Sequence, residues 1–107
     1  MKDLTFDEFK DISKSSVCVV AFKAAWCKDC KIATPMLIEL SKKYPKVDFY
    51  EIDIDKEEGV RDAMGIRHIP TIIFLKDGDE ICSRVVEPRS VDEIENCIKS
   101  LYKFIIF

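Results

Sequence analysis

The sequence predicts an α/β fold: a mixed central sheet of four to five strands, helices on both of its faces, and a C-terminal β-hairpin followed by a helix. Three observations point there. Apolar runs of strand length alternate with stripes of helical period, an Asp77-Gly78 pair separates two of the later strand-like runs, and a final helical stripe extends from Val91 to Ile105. Strands that alternate with helices and then give way to a hairpin imply a sheet of mixed direction.

Each element has its own warrant. Thr5-x-x-Glu8 is a capping box, and Phe6, Phe9 and Ile12 share one helical face. Val17 to Phe22, VCVVAF, is unbroken in apolar character, which suits a strand covered on both sides. From about Cys27, the residues Ile32, Ala33, Met36, Leu37 and Leu40 form a stripe that continues to Tyr44 and stops at Pro45. Pro35 lies inside that stripe and is expected to kink or break the helix. Val47 to Ile54 alternates with β-branched and aromatic residues and reads as a second strand, and Glu57 to Met64 reads as a short helix capped by Gly65. Thr71 to Leu75 and Ile81 to Val86 flank Asp77-Gly78 as the two arms of the hairpin, and Val91, Ile94, Ile98, Leu101 and Ile105 mark the apolar face of the last helix. With no repeat, linker or low-complexity segment, residues 1–107 are expected to form one domain.

Composition limits the function. A chain of 107 residues, 48% of them hydrophobic, can build one ordinary core that buries roughly two thirds of the surface exposed on unfolding, without disulfide staples. Seventeen Lys and Arg against twenty Asp and Glu give a net charge of -3, with no basic block to neutralise phosphates, so nucleic acid is not an expected partner. The start, MKDLTFDEFKDISKS, is acidic where a signal peptide is apolar, and no apolar run approaches the ~18 residues of a membrane span. No membrane partner is expected, and the expected setting is a reducing cytoplasm.

Five cysteines in such a setting do not read as a disulfide framework, and only Cys27 and Cys30 are close in sequence. A structural zinc site usually takes four Cys or His ligands, often as two Cys-x-x-Cys pairs, whereas Cys18, Cys82, Cys97 and His68 are isolated. Neither a metal nor another cofactor is expected. Cys18, in a buried strand, and Cys97, beside the last apolar stripe, read as small core residues, and Cys82 as an exposed position of the hairpin.

The chemistry sits in AAWCKDCKIATP, residues 24–35. In sheets of this kind, active groups collect where the carboxyl end of a strand turns into a helix, which is where Cys27 falls. Its sulfur would face the unpaired amide hydrogens of the first helical turn, which favour a thiolate. That field is worth ~0.3 to 1 kcal/mol, up to ~2 at a sheltered site, whereas lowering a thiol from ~8.5 to ~7 takes about 2 kcal/mol. Lys28 and a hydrogen bond from Cys30 would supply the remainder, with Asp29 opposing them. One helical turn apart, Cys27 and Cys30 can close a small disulfide with little backbone movement. Cys27 is expected to attack and Cys30 to resolve, because the residue at the helix start faces solvent and the one a turn later is shielded.

These residues resemble the thioredoxin family over nearly the whole chain. Phe22 to Pro35 is similar to the family's strand, Trp-Cys-x-x-Cys-Lys and proline-bearing helix; Asp53-Ile54-Asp55 matches the following strand end; Gly65-Ile66-Arg67-His68-Ile69-Pro70-Thr71 resembles the segment around the family's cis-proline. The resemblance implies a thioredoxin fold, a lowered Cys27 pKa, and an enzyme that reduces protein disulfides and is recycled by a thioredoxin reductase; a monomer is expected, though the sequence does not fix the oligomeric state. It also implies a cis bond before Pro70, facing the Cys27 sulfur, and an apolar rim of Trp26, Ile69 and Pro70 that holds a protein substrate. For Trp26 the alternative is plain core packing.

Several positions depart from the family. Lys28 and Asp29 stand where it usually has Gly-Pro; near the thiolate, Asp29 would make the couple more reducing and Lys28 less so, unless both are simply solvated. Ala21 takes the place of a buried Asp that handles the resolving cysteine's proton, and Glu51 the place of a Lys on the neighbouring strand. Strand alternation puts Ala21 and Lys23 on one face, and Val47, Phe49 and Glu51 on one face. If the faces meet, Glu51 becomes the proton-transfer candidate, desolvated and with a raised pKa unless Lys23 compensates; otherwise it reaches solvent at the strand end. Val86, in place of a family glycine, is followed by Glu87 and Pro88, a larger acidic rim expected to narrow the substrate groove and disfavour acidic peptides. His68 is either a groove residue or an exposed loop side chain. The apolar end, Phe104 to Phe107, reads as the end of the core-facing helix, with an interface as the alternative. The competing functions are a redox-silent thioredoxin-like binding module, which the presence of both cysteines opposes, and an oxidase or isomerase, which the lack of a signal-like start opposes.

Overall fold

A computed structural model describes residues 1–105; Ile106 and Phe107, and with them part of the apolar end singled out above, lie outside the described residues. Three strands carry the sheet. In β2 (Val17–Lys23) every residue from Cys18 to Phe22 is buried, as the unbroken apolar run requires of a strand covered on both faces. β3 (Asp48–Asp53) runs parallel to it, with Ala21 opposite Glu51 and Lys23 opposite Asp53, and β4 (Thr71–Lys76) runs antiparallel along its other edge. A two-residue strand that carries no sequence signal, β1 (Lys2–Asp3), adds to the far edge of β3 and sets Asp3 opposite Glu51.

The hairpin forms, but its second arm is broken. Asp77 and Gly78 both take positive φ, 49° and 91°, the turn that a two-residue Asp-Gly loop favours because its twist matches that of the strands. After β5 (Asp79–Glu80), residues 81–84 stand opposite only Ile73 and Phe74, and pairing with β4 resumes at β6 (Val85–Val86). The extra residues are held from outside the ladder. Arg84 bonds to the Met64 carbonyl at 2.6 Å and to Glu80 at 2.9 Å, and Cys82 is bonded to Cys97.

That disulfide corrects the expectation for both residues. The excursion of residues 81–84 passes over the last helix, α4 (Val91–Tyr102), and brings Cα atoms fifteen residues apart in sequence to 5.7 Å, a pairing that spacing alone does not reveal. Cys18 is the small core residue expected, with no exposed surface and a thiol pushed up by burial.

Helices cover both faces. On one, α1 (Phe6–Ile12) and α3 (Val60–Met64) pack over Cys18, Val20, Phe22, Ile52, Ile73 and Leu75; on the other, α2 (Lys28–Lys43) and α4 pack over Val19, Ala21, Phe49, Ile72 and Phe74. The alternation along each strand decides which residue meets which layer. The capping box at Thr5 and Glu8 is present, and α4 begins with a second one, at Ser90 and Glu93. α3 is shorter than expected because Gly59, at φ 86°, cannot belong to a right-handed helix; Glu57 instead accepts the Phe6 amide hydrogen at 2.8 Å. α2 continues through Pro35 to Lys43 without a break, the proline forgoing only its own bond to the carbonyl four residues earlier. α4 stops at Tyr102, short of the stripe's end; beyond it Ile105 still packs on the second layer while Phe104 is 46% exposed.

Candidate active site

β2, a central strand, delivers the chain to the carboxyl end of the sheet at Lys23, and α2 begins five residues later. Between them Cys27 holds an extended backbone (φ -82°, ψ 115°) and caps the helix, its Sγ accepting a hydrogen bond from the Cys30 amide at 3.1 Å. A cysteine serves here as the oxygen side chains do at other helix starts, presenting its sulfur to the unpaired donors of the first turn. The Cys27 thiol donates to the Ile69 carbonyl at 3.5 Å, across the turn that precedes β4. The Ile69–Pro70 bond is cis, as the resemblance implies.

Exposure does not separate the two cysteines. Cys27 is 5% and Cys30 4% exposed, because the segment around Ile69 covers the helix start. What separates them is direction and protonation. Cys27 lines a groove of about 430 Å³ and Cys30 does not. Burial pushes the Cys30 thiol up to about 12, reinforced by the hydrogen bond and charge of Cys27 and by the charge of Asp29, against a lowering bond to the Ala24 backbone. Cys30 is therefore a protonated thiol at neutral pH, and any step that uses its sulfur must remove that proton.

The groove brings together Trp26, Cys27, Lys28, Asp29, Ile69 and Glu87 among others. Trp26 is 66% exposed, which rules out core packing, and its indole N–H donates to Asp55 Oδ2 at 2.7 Å. Asp55 belongs to a turn organised by Asp53, whose Oδ1 accepts from the Asp55 and Lys56 amides at 2.9 and 3.2 Å. Pro70 is buried, Val86 is exposed beside Thr71 but outside the groove lining, and Glu87 takes the lining position. Glu87 is held with φ at 49°, a left-handed conformation uncommon for its residue type, and its amide donates to the Pro70 carbonyl at 2.9 Å. Asp29 is not simply solvated: Arg89 reaches it at 3.0 Å from the start of α4, and its carboxylate holds the Arg89 guanidinium above its ordinary pKa. His68, the other open position, is exposed and lines the groove.

Glu51 and Lys23 lie elsewhere. Lys23 Nζ is 3.1 Å from Glu51 Oε1 and 3.0 Å from Asp3 Oδ1, and the Glu51 side chain is only 12% exposed. Burial pulls the Lys23 ammonium down, but its hydrogen bonds to Asp3 and Glu51 outweigh that and keep it above the usual lysine value. Among the described residues neither member of this pair hydrogen-bonds to a cysteine. Asp55, Arg89, Arg61 and Arg67 are the site residues that sequence reasoning missed; only Asp55 and Arg67 lay inside the quoted motifs, and nothing there marked them as partners. Also among the described residues, no cluster of three or more Cys, His, Asp or Glu is arranged to hold a metal ion, and no helix is long and apolar enough to cross a membrane.

Comparison with known proteins agrees with this geometry. The thioredoxin family model matches residues 1–100. A thioredoxin of Aspergillus fumigatus is 41% identical over 93 residues, covering 87% of this chain and 85% of its own, and a thioredoxin of Borreliella burgdorferi is 40% identical over 88 residues, covering 80% and 74%. The crystal structure of a Malassezia sympodialis thioredoxin superposes with a TM-score of 0.81 at 29% identity, covering 92% of this chain and 88% of that one. With the fold, the Cys-x-x-Cys pair at the helix start and relatives of this closeness in agreement, the chain belongs to the thioredoxin family and is a thiol-disulfide oxidoreductase.

Proposed function

We propose that Cys27 and Cys30 form the working couple, with Cys27 attacking and Cys30 resolving. The Cys27 thiolate attacks one sulfur of a substrate disulfide; that S–S bond breaks and its electron pair leaves on the second substrate sulfur, which takes up a proton. Cys30 then loses its proton and attacks the Cys27 sulfur, expelling the other substrate sulfur as a thiolate that is protonated in turn. Two electrons pass to the substrate, and the chain is left with a Cys27–Cys30 disulfide. The observation that carries this reading is the asymmetry of the pair: Cys27 caps the helix and lines the groove, while Cys30 is kept as a thiol.

Trp26 and Ile69, on the groove wall, are assigned to substrate binding, with Pro70 and Val86 as flanking positions outside its lining; Lys28 and Asp29 are assigned to tuning the cysteines, and Lys23 to holding Glu51. Glu51 is assigned as the acceptor of the Cys30 proton; what supports this is its place opposite Ala21 on the neighbouring strand and a side chain only 12% exposed, held by Lys23 at 3.1 Å. A thioredoxin reductase restores the dithiol, the protein works as a monomer, and its compartment is the cytoplasm; the free thiols of Cys18, Cys27 and Cys30 favour a reducing setting and the Cys82–Cys97 bond opposes it. The test is reduction of insulin disulfides coupled to a thioredoxin reductase. Sustained turnover that Cys27→Ser reduces to background is the expected result; groove binding without turnover by the wild type makes the protein a redox-silent binding module.

A further inference from the structure

The charges around the groove are distributed against the charge of the whole chain, which is net -3. Lys28, Arg61 and Arg67 line the groove together with Cys27, and among the described residues none of the three has an ion-pair partner. Two carboxylates line it as well. Asp29 is already engaged by Arg89 at 3.0 Å, which leaves Glu87 as the one uncommitted negative group facing three uncommitted positive ones.

Arg61 is also oriented. It stands on α3, and its Nε donates to the Ile66 carbonyl at 3.2 Å across the turn closed by Gly65. One bond of the guanidinium is thereby fixed to the backbone, while among the described residues its two terminal amino groups make no hydrogen bond. Such a fork matches a carboxylate in two parallel hydrogen bonds and loses little freedom on binding it. Arg67 follows immediately after Ile66, so both guanidinium groups approach the groove from the segment that leads to Ile69.

Resting on the proposed reduction of protein disulfides through Cys27, we infer that this groove selects disulfides flanked by aspartate or glutamate, with Arg61 and Arg67 as the specificity-determining residues. Glu87 alone would select the opposite; the two arginines and Lys28 outweigh it. A cleft that concentrates positive potential beside the attacking sulfur draws in a negatively charged segment and holds it near the reacting atoms. A lysine-flanked disulfide meets the same potential as repulsion.

The test uses three peptide disulfides of one length whose flanking residues are glutamate, glutamine or lysine, with kcat/KM measured for each in the reductase-coupled assay at low and at high ionic strength. The wild type is expected to prefer the glutamate peptide over the glutamine one by about three- to tenfold at low salt, to disfavour the lysine peptide, and to lose both preferences as salt is added. In Arg61→Gln/Arg67→Gln the ratio of glutamate to glutamine peptide should fall towards one, while Arg61→Lys/Arg67→Lys, which keeps the charge, should retain a measurable part of it. Equal non-zero rates for the three peptides in the wild type, or a preference that survives in the glutamine double variant, would overturn the inference and leave the reductase reading standing. If the wild type reduces none of the three and insulin no better, the reductase reading itself falls, and the inference with it.

Discussion

The molecule holds two cysteine pairs, and they are opposites. Cys27 and Cys30 sit one helical turn apart at a strand-to-helix junction, unbonded, on the wall of a groove. Cys82 and Cys97 are bonded across fifteen residues and tie the irregular part of the hairpin to α4. The first pair is local, so its chemistry follows from spacing and from the helix end; the second is made by topology, and what it does is mechanical. Reactivity in this fold comes from where a thiol stands, not from how many thiols the chain has.

The largest effect that would sharpen this contrast is on stability. Cys82→Ser opens a loop whose closure is worth about 3 kcal/mol in the chain-entropy account, so unfolding by urea under non-reducing conditions should shift by about that much. Disulfide reduction by the folded variant should stay close to the wild-type rate. A loss of turnover comparable to that of Cys27→Ser would mean that the second pair takes part in the chemistry and that the contrast is wrong.

Next in size is the base. Glu51→Gln keeps the shape of the side chain and removes the proposed proton acceptor, so release of substrate from the Cys27 mixed disulfide should slow on the order of 10- to 100-fold while the first attack changes little. Single-turnover kinetics separate the two steps. Release at the wild-type rate from pH 6 to pH 9 would make Glu51 only an ion-pair partner of Lys23, which it shares with Asp3. Smaller still is the effect of the half-exposed bridge to Asp29. With Arg89→Gln the Asp29 charge is less offset, the cysteine thiolates are disfavoured, and the reduction potential should become more negative by up to ~20 mV, the range of an exposed ion pair. A shift of the opposite sign would contradict the account of Asp29.

How much of this was legible follows the same division. The buried strand at Val17, the helix starting at Cys27, the Asp77-Gly78 turn and the Cys-x-x-Cys pair all rest on residues within a few positions of one another, where periodicity and turn chemistry decide. β1 was invisible because two polar residues at a sheet edge carry no pattern, and the broken arm of the hairpin because Ile81 to Val86 reads as one strand until Arg84 and Cys82 are pulled aside. The site divides likewise. Trp26, Cys27 and Cys30 could be named from one motif, whereas Asp55 under the Trp26 indole and Arg89 against Asp29 come from 29 and 60 residues away. The expectation that Cys27 is the more exposed thiol failed because the Ile69 segment, far along the chain, folds over it.

The difference between the pairs is tested most directly by trapping. Cys30→Ser removes the resolving sulfur and leaves the attacking one, so incubation of the reduced variant with a disulfide substrate should accumulate a covalent adduct, mapped by mass spectrometry of non-reduced peptides. The account predicts one adduct, on Cys27, with Cys18, Cys82 and Cys97 unmodified. An adduct on Cys82 or Cys97, or none at all with a substrate that the wild type reduces, would contradict it.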